Sequence, residues 1–160
     1  MYSSEIYNLF KEILGSNSTS CHEDAEKGQI ILANLGIDSL LKSMSIVIDV
    51  HEEDCYLMGF YNNLTVPNER LANITELLMR INCNFLVPQF IINYGPDGKN
   101  SVVCHYRYEL KGDLLNTANV AQTIIDIGNH MQLCGNAIMA VSLGMQTPID
   151  ALNSVLEREV

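Results

Sequence analysis

Alternation between apolar and polar residues predicts strands through the middle of the chain. Ile46, Ile48 and Val50 are spaced by two and alternate with polar neighbours, the pattern of a half-buried strand. The charged turn Glu52–Asp54 follows, and then an apolar and aromatic segment returns. The same pattern recurs on both sides of a turn rich in Gly, Pro and Asn. We therefore expect two antiparallel hairpins, formed by residues 45–51 with 55–61 and by residues 85–94 with 101–110.

Apolar residues three and four positions apart predict helices on both sides of these strands. The first has its apolar stripe on Tyr2, Ile6 and Phe10 and ends at Gly15. Another begins near Pro67, and a long one ends at Gly144. The expected helical segments are 2–14, 67–81, 117–143 and a short one capped by Thr147-Pro148-x-Asp150.

Small residues recur at every seventh position of the long helix, at Ala121, Gly128, Gly135 and Ser142. This spacing places them on one helix face. Because Gly inside a helix costs about 1 kcal/mol, we expect that face to lie unusually close to a sheet or to another helix.

Residues 16–35 allow two interpretations. Ser16–Ser20 is a polar loop, and Ser20 with Glu23 forms a capping-box pattern that predicts a helix over 21–35. Gly28 and the β-branched run after it leave a short strand open there instead. We predict one domain over 1–160, in which a helical region over 1–44 precedes a core over 45–152.

The charge balance limits the kinds of partner. Nineteen acidic against nine basic residues give a formal charge of −10. Nucleic acid and anionic membrane surfaces would be repelled, whereas a basic protein partner would be attracted. No uncharged apolar run reaches the roughly 18 residues of a membrane helix. The five scattered cysteines contain no CxxC pair, and the N-terminus lacks a signal-peptide pattern, so we expect a cytoplasmic protein.

Candidate chemistry is sparse. His130 and Cys134 are four residues apart on the long helix and would supply half of a zinc site, so a metal-sensing or small-molecule-sensing domain is our second hypothesis. Cys104 and His105 are adjacent on a strand and project to opposite faces, which prevents direct activation of the thiol. No nucleophile, phosphate-loop or metal motif is complete. We expect no enzyme activity and no cofactor.

Several turn and packing motifs resemble the YbjN family, described as bacterial sensory transduction regulators with a fold like type III secretion chaperones. The resemblance spans 45–152 and lies in Pro67, Leu78-Met-Arg-Ile-Asn82, Phe90-Ile-Ile-Asn93, Asp97-Gly98, the strand Val102 to Tyr108, Val141-Ser-Leu-Gly144 and Thr147-Pro148-Ile-Asp-Ala151. It implies an α+β fold in which helices pack on an antiparallel sheet. It also implies a homodimer that holds a partner segment on an exposed face, and it carries over no catalytic residue.

These observations lead to a functional hypothesis. We expect a chaperone-like or regulatory domain that binds a protein partner. Aromatic residues concentrate on the predicted strands, and such residues serve core packing more often than recognition. The candidate contact positions are Tyr56, Phe60, Tyr106 and Tyr108.

Overall fold

The computed structural model describes residues 1–14, 21–109 and 117–158, and they form an α+β fold. The expected Gly15 helix stop, the Ser16–Ser20 loop with its capping Ser20, and the strand end at Leu110 lie outside these residues. Two short 3-10 turns cover Asn68–Arg70 and Pro96–Gly98. The main elements are α1 (Ser4–Leu14), β1 (Cys21–Asp24), β2 (Gln29–Gly36), β3 (Ser43–Val50), β4 (Asp54–Tyr61), α2 (Leu71–Asn84), β5 (Gln89–Asn93), β6 (Ser101–Glu109), α3 (Thr117–Ser142) and α4 (Pro148–Leu156).

The described strands form one antiparallel sheet of six, in the order β1-β2-β3-β4-β6-β5. Both expected hairpins are present, as β3–β4 and β5–β6. Helix α2 leads from β4 to the far edge strand β5, and the second hairpin then returns β6 to a place beside β4. The two hairpins are thus joined into one continuous sheet.

A hairpin occupies the segment for which the capping box predicted a helix, so the helical alternative is wrong and the strand alternative holds. β1 pairs antiparallel with β2 around Gly28, whose φ of +73° favours glycine. A Cβ on Gly28 would lie 2.5 Å from Cγ of Tyr2, so Tyr2, which precedes α1, packs directly on the turn. Ile30 and Leu32 alternate toward the core, as strand residues do.

Strand β5 is shorter than the alternation predicted. The strand expected from residue 85 begins only at Gln89, because α2 continues to Asn84 and a short connection follows. The Asn82 side chain accepts from the Phe90 N–H and donates to the Phe90 carbonyl, both at 2.8 Å. These two hydrogen bonds hold the start of the edge strand β5 against the end of α2.

The described helices pack on one face of the sheet, and α3 approaches it most closely. A Cβ on Gly59 of β4 would lie 2.3 Å from Sδ of Met131. A Cβ on Gly135 would lie 3.4 Å from the Tyr61 ring, and one on Gly128 would lie 3.2 Å from Cε of Met44. The predicted close approach of this glycine-bearing helix face is confirmed.

The last helix begins as its capping sequence predicted. The Thr147 hydroxyl accepts from the Asp150 N–H at 3.2 Å and donates to the Asp150 carboxylate at 2.7 Å. α4 buries Ala151 and Val155 against the neighbouring helices. Within the described ranges, no helix has the length and apolar character needed to cross a membrane.

Candidate functional site

The two faces of the sheet differ in what covers them. In β3 and β4, alternate residues such as Ile46, Ile48 and Leu57 are fully buried beneath the helices, while the residues between them are half-buried. We call the second side the open face. Its apolar residues are absent from the core cluster against which the described helices pack. Four are half-buried, Ile91 is exposed and Val103 is buried; the half-buried four are Ile31, Val47, Met58 and Phe60.

Strand register gathers these apolar residues at the middle of the open face, and we call them the apolar centre. Met58 lies between Val47 of β3 and His105 of β6. Phe60, two residues further along, has Val103 as its neighbour across the strand pair. Ile31 of β2 and Ile91 of β5 extend the group toward the two sheet edges. One apolar surface therefore crosses five strands.

Polar residues frame the apolar centre at both ends of the strands. One row runs through Asp49, Tyr56 and Arg107. At the opposite end lie Ser43 and Ser45 of β3, with Asn62 bonded to both. An apolar centre surrounded by polar groups is the usual composition of a protein–protein interface.

An ion pair fixes the orientation of Tyr56 on this face. Arg107 donates from Nε and Nη2 to Oδ2 of Asp54 at 3.0 and 2.8 Å, and the Tyr56 hydroxyl donates to the same oxygen at 3.1 Å. The Arg107 guanidinium lies 5.8 Å from the centre of the Tyr56 ring. Partial burial acts to raise the pKa of Asp54, but the hydrogen bonds from Arg107 and Tyr56 outweigh it and hold that pKa below its usual value. Asp54 therefore stays ionised and paired at neutral pH.

Two histidine rings complete the aromatic surface beside Tyr56. The centre of the His51 ring lies 5.5 Å from that of Tyr56 in an edge arrangement, and the His105 ring lies at the same distance on the other side. Burial, followed by the nearby charge of Arg107, lowers the pKa of His105. His105 is thus neutral at pH 7 and adds an uncharged ring next to Met58.

The candidate contact residues divide between the two faces. Tyr56 and Phe60 lie on the open face, whereas Tyr106 and Tyr108 lie on the side covered by helices. Tyr108 is buried, and its hydroxyl donates to the Asn119 carbonyl at 2.9 Å and bonds to Thr123. The four residues therefore cannot form one contact surface.

Sequence reasoning overlooked much of the open face. Its contact positions included Tyr56 and Phe60 but not Met58, which lies between them in the chain and on the same side of β4. Gly59 was the available signal, because a glycine inside a strand often marks close approach of another element. It identifies the covered side of β4, so that Tyr56, Met58 and Phe60 must point the other way.

His130 and Cys134 lie in the core under α2 and β5. The His130 ring stacks on Phe90 with 4.9 Å between ring centres and contacts the edge of Phe85 at 5.1 Å. Its Nε2 is buried and has no hydrogen-bond partner among the residues that the structure describes, and burial lowers its pKa to about 4. Among the described residues, no group of three or more His, Cys, Asp or Glu side chains is placed to hold a metal ion.

The buried cysteines have the chemistry of packing residues. Burial raises the pKa of the Cys55 and Cys104 thiols far above the usual value. Since the thiolate is the reactive form, neither side chain is prepared for nucleophilic attack. Cys104 instead faces Gly59 across the strand pair, in the core.

Comparison with known proteins adds a structural relative. A solved structure, that of YbjN from E. coli, superposes with a TM-score of 0.59 over 82% of this chain and 87% of that chain, at 12% sequence identity. The fold is YbjN-like. At this identity the likeness establishes the fold alone, which the sequence motifs had implied. No family model and no curated protein matches the sequence.

Proposed function

We propose that this protein is a non-enzymatic binding domain of the cytoplasm, regulatory or chaperone-like, which contacts a protein partner through the open face. The observation that carries the proposal is the apolar centre, in which Ile91 is exposed, Val103 is buried and the other four residues are half-buried, on a face that no described helix covers. Contiguous apolar surface of this kind is characteristic of interaction sites.

The neighbouring chemistry favours binding over catalysis. Arg107 forms an ion pair with Asp54, and the Tyr56 hydroxyl donates to the same carboxylate. The two charges are therefore already neutralised within the fold. A catalytic acid or base needs a proton-transfer group directed at substrate, whereas these groups hold a ring in place. A rigid aromatic side chain with a fixed polar tip suits recognition.

The structural relative supports a regulatory role. YbjN is described as a candidate transcription regulator. A regulator can act by binding DNA or by binding proteins, and the −10 charge of this chain opposes DNA. Contact with another protein is the mode that fits both observations.

Alanine substitutions on the two sheet faces test this proposal. Phe60→Ala should remove a co-purifying protein, seen by native mass spectrometry of protein purified from its own host, while leaving thermal stability close to wild type. Tyr108→Ala is the matched aromatic change on the covered face. It should lower stability by about 2–4 kcal/mol and leave the folded fraction able to bind. Retention of the partner by Phe60→Ala would contradict the proposal.

A second function rests on His130. Its buried Nε2 has no hydrogen-bond partner in the described part of the chain, and Cys134 follows one helical turn later. These two side chains could belong to a small-molecule or metal sensor that gains further ligands on binding. Protein from cells grown in zinc-supplemented medium should then carry a bound metal in native mass spectrometry, and the His130→Ala variant should not. A wild-type mass without metal would rule out the zinc-sensor function.

A further inference from the structure

A groove lies among the helices, away from the open face. Its lining comes from α3, from α4 and from the connection between β2 and β3, and we call it the α3–α4 groove. Its volume is about 410 Å³, a usual size for a pocket that holds a small ligand. The apolar part of its lining includes Leu40, Leu133, Ala137, Ala140 and Val155.

The groove is already formed in the unliganded chain. Ala137 and Ala140 are three residues apart on α3, so they are neighbours on one helix face and their small side chains leave space beside α4. Leu40 is 67% exposed, and its backbone N–H donates to Oδ1 of Asn136 at 2.7 Å. This hydrogen bond fixes the β2–β3 connection against α3. A ligand would therefore find the groove preorganised, which lowers the cost of binding.

A positive charge lies where the groove meets a more polar hollow. Arg158 lines both, as do Leu40, Leu133 and Asn136. Among the residues that the structure describes, Arg158 forms no ion pair, whereas four other cations each pair with a carboxylate: Lys11, Lys27, Arg80 and Arg107. Since Arg stays protonated in proteins, the junction carries a charge that nothing in the described ranges neutralises.

We propose that the α3–α4 groove binds a small molecule with an apolar body and one carboxylate. The apolar body would lie along Ala137 and Ala140. The carboxylate would accept hydrogen bonds from the Arg158 guanidinium, whose two-pronged shape matches it. Because Asn136 accepts with Oδ1, its NH2 group is a second donor at the junction. The groove is separate from the open face, so this inference does not depend on the proposed function.

The single cation selects a ligand with a single negative charge. A phosphate monoester carries nearly two charges at neutral pH. Asp38 lines the adjoining hollow and would repel the second of them. A monocarboxylate is therefore a better match for Arg158 than a phosphate.

An alkyl or aryl body suits the groove better than a peptide does. A peptide would bring backbone N–H and C=O groups that need partners when they are buried. The polar side chains along the groove are already engaged: the Ser154 hydroxyl donates to the Asp150 carbonyl at 3.0 Å, and Oδ1 of Asn136 accepts from Leu40. An apolar body needs no such partners.

Isothermal titration calorimetry with octanoate tests the proposal, with 1-octanol as the uncharged probe of the same length. Octanoate should bind wild type at least about tenfold more tightly than 1-octanol does, because only the carboxylate pairs with Arg158. Arg158→Gln should weaken octanoate by a similar factor and leave 1-octanol unchanged. Lys99→Gln is the matched control: it removes the same charge from an exposed residue between β5 and β6 and should bind like wild type.

A second variant tests the place of the apolar body. Ala140→Leu should fill the groove without touching the charge of Arg158, and it should weaken octanoate at least about tenfold, because two side chains cannot share one close-packed space. Phe60→Ala, which lies on the open face, should bind octanoate like wild type. Circular dichroism should show that each variant is folded.

The other outcomes overturn the inference. They are a wild type that does not bind octanoate, and equal binding of octanoate by wild type and Arg158→Gln. A peptide that ends in Leu with a free carboxylate is the alternative occupant, and tighter binding of that peptide than of octanoate would exclude the small molecule. Loss of octanoate binding in Phe60→Ala would place the ligand on the open face instead. None of these results decides the proposed function, whose test measures a co-purifying protein.

Discussion

Gly59 connects the sequence of β4 to the two unlike faces of the sheet. Without a side chain there, α3 can place Ile127 and Met131 directly on the strand. The neighbours Met58 and Phe60 are consequently directed to the open face. A single small residue thus determines which side of β4 is core and which is available for contact.

Substitution of Gly59 should therefore cost stability. In Gly59→Ala the new methyl group would lie 2.9 Å from Cγ2 of Ile127 and closer still to Met131. We predict a loss of about 1–3 kcal/mol in the free energy of unfolding, measured by urea denaturation. Gly36→Ala is the control, because a Cβ there meets no atom of the described residues within 4 Å. Equal effects of the two substitutions would contradict this account of α3 packing.

His130 should make stability depend on pH. Burial lowers its pKa from 6.5 to about 4, so the folded state favours the neutral ring while the unfolded state takes up a proton more readily. Stability is then complete above pH 6.5 and declines as the pH falls toward 4. The free energy of unfolding falls by about 3 kcal/mol at most over this pH range.

The variant His130→Leu isolates this contribution. His105, whose pKa is also lowered, acts in the same direction and remains in both proteins. Urea denaturation at a series of pH values should give a steeper decline for wild type than for His130→Leu. Parallel pH profiles would show that His130 does not titrate differently on folding.

At the level of elements, local sequence patterns predicted structure well where one signal was present. Ala121, Gly128, Gly135 and Ser142 indicated a close helix contact, and the contacts of the two glycines confirm it. Near Cys21 two signals conflicted. The capping box acts only if a helix can continue, and Gly28 instead takes the positive φ of a hairpin turn on which Tyr2 packs. That contact is distant in sequence and could not be seen from the local pattern.

The attachment of β5 to α2 gives a prediction for one element. Asn82→Ala removes both hydrogen bonds to the Phe90 backbone. We expect a loss of about 1–3 kcal/mol in stability and faster amide hydrogen exchange across Gln89–Asn93. Asn84→Ala is the matched control on the same helix, since within the described ranges Asn84 donates only to the Arg80 carbonyl one turn before it. Unchanged exchange in Asn82→Ala would refute this role.

At the level of the whole molecule, the sequence predicted the α+β class, and two of the four aromatic residues that it named lie on the open face. Alternation showed that Tyr56 and Phe60 share one side of a strand and that Tyr106 and Tyr108 share one side of another. It did not show which side the helices cover, because that depends on how α3 docks across β4 and β6. The docking of α3 separates Tyr56 and Phe60 on the open face from Tyr106 and Tyr108 on the side covered by helices.

The same limit explains why Met58 and Val47 were missed. Each residue gains its place in a contact surface only from its neighbours across the strands. Their place in one apolar surface is a property of register over the sheet, which no single segment contains.

The central claim is that another protein chain covers the open face, and oxidation of methionine side chains tests it most directly. Protein purified gently from its own host should be treated briefly with peroxide at high and at low concentration, and Met58 compared with Met79 and Met145 by mass spectrometry. Met79 and Met145 are 63% and 75% exposed in the isolated chain and should react at the same rate in both samples. We predict that Met58 is protected at high concentration and becomes reactive on dilution. Equal reactivity of Met58 at the two concentrations, with no protein bound, would contradict the account.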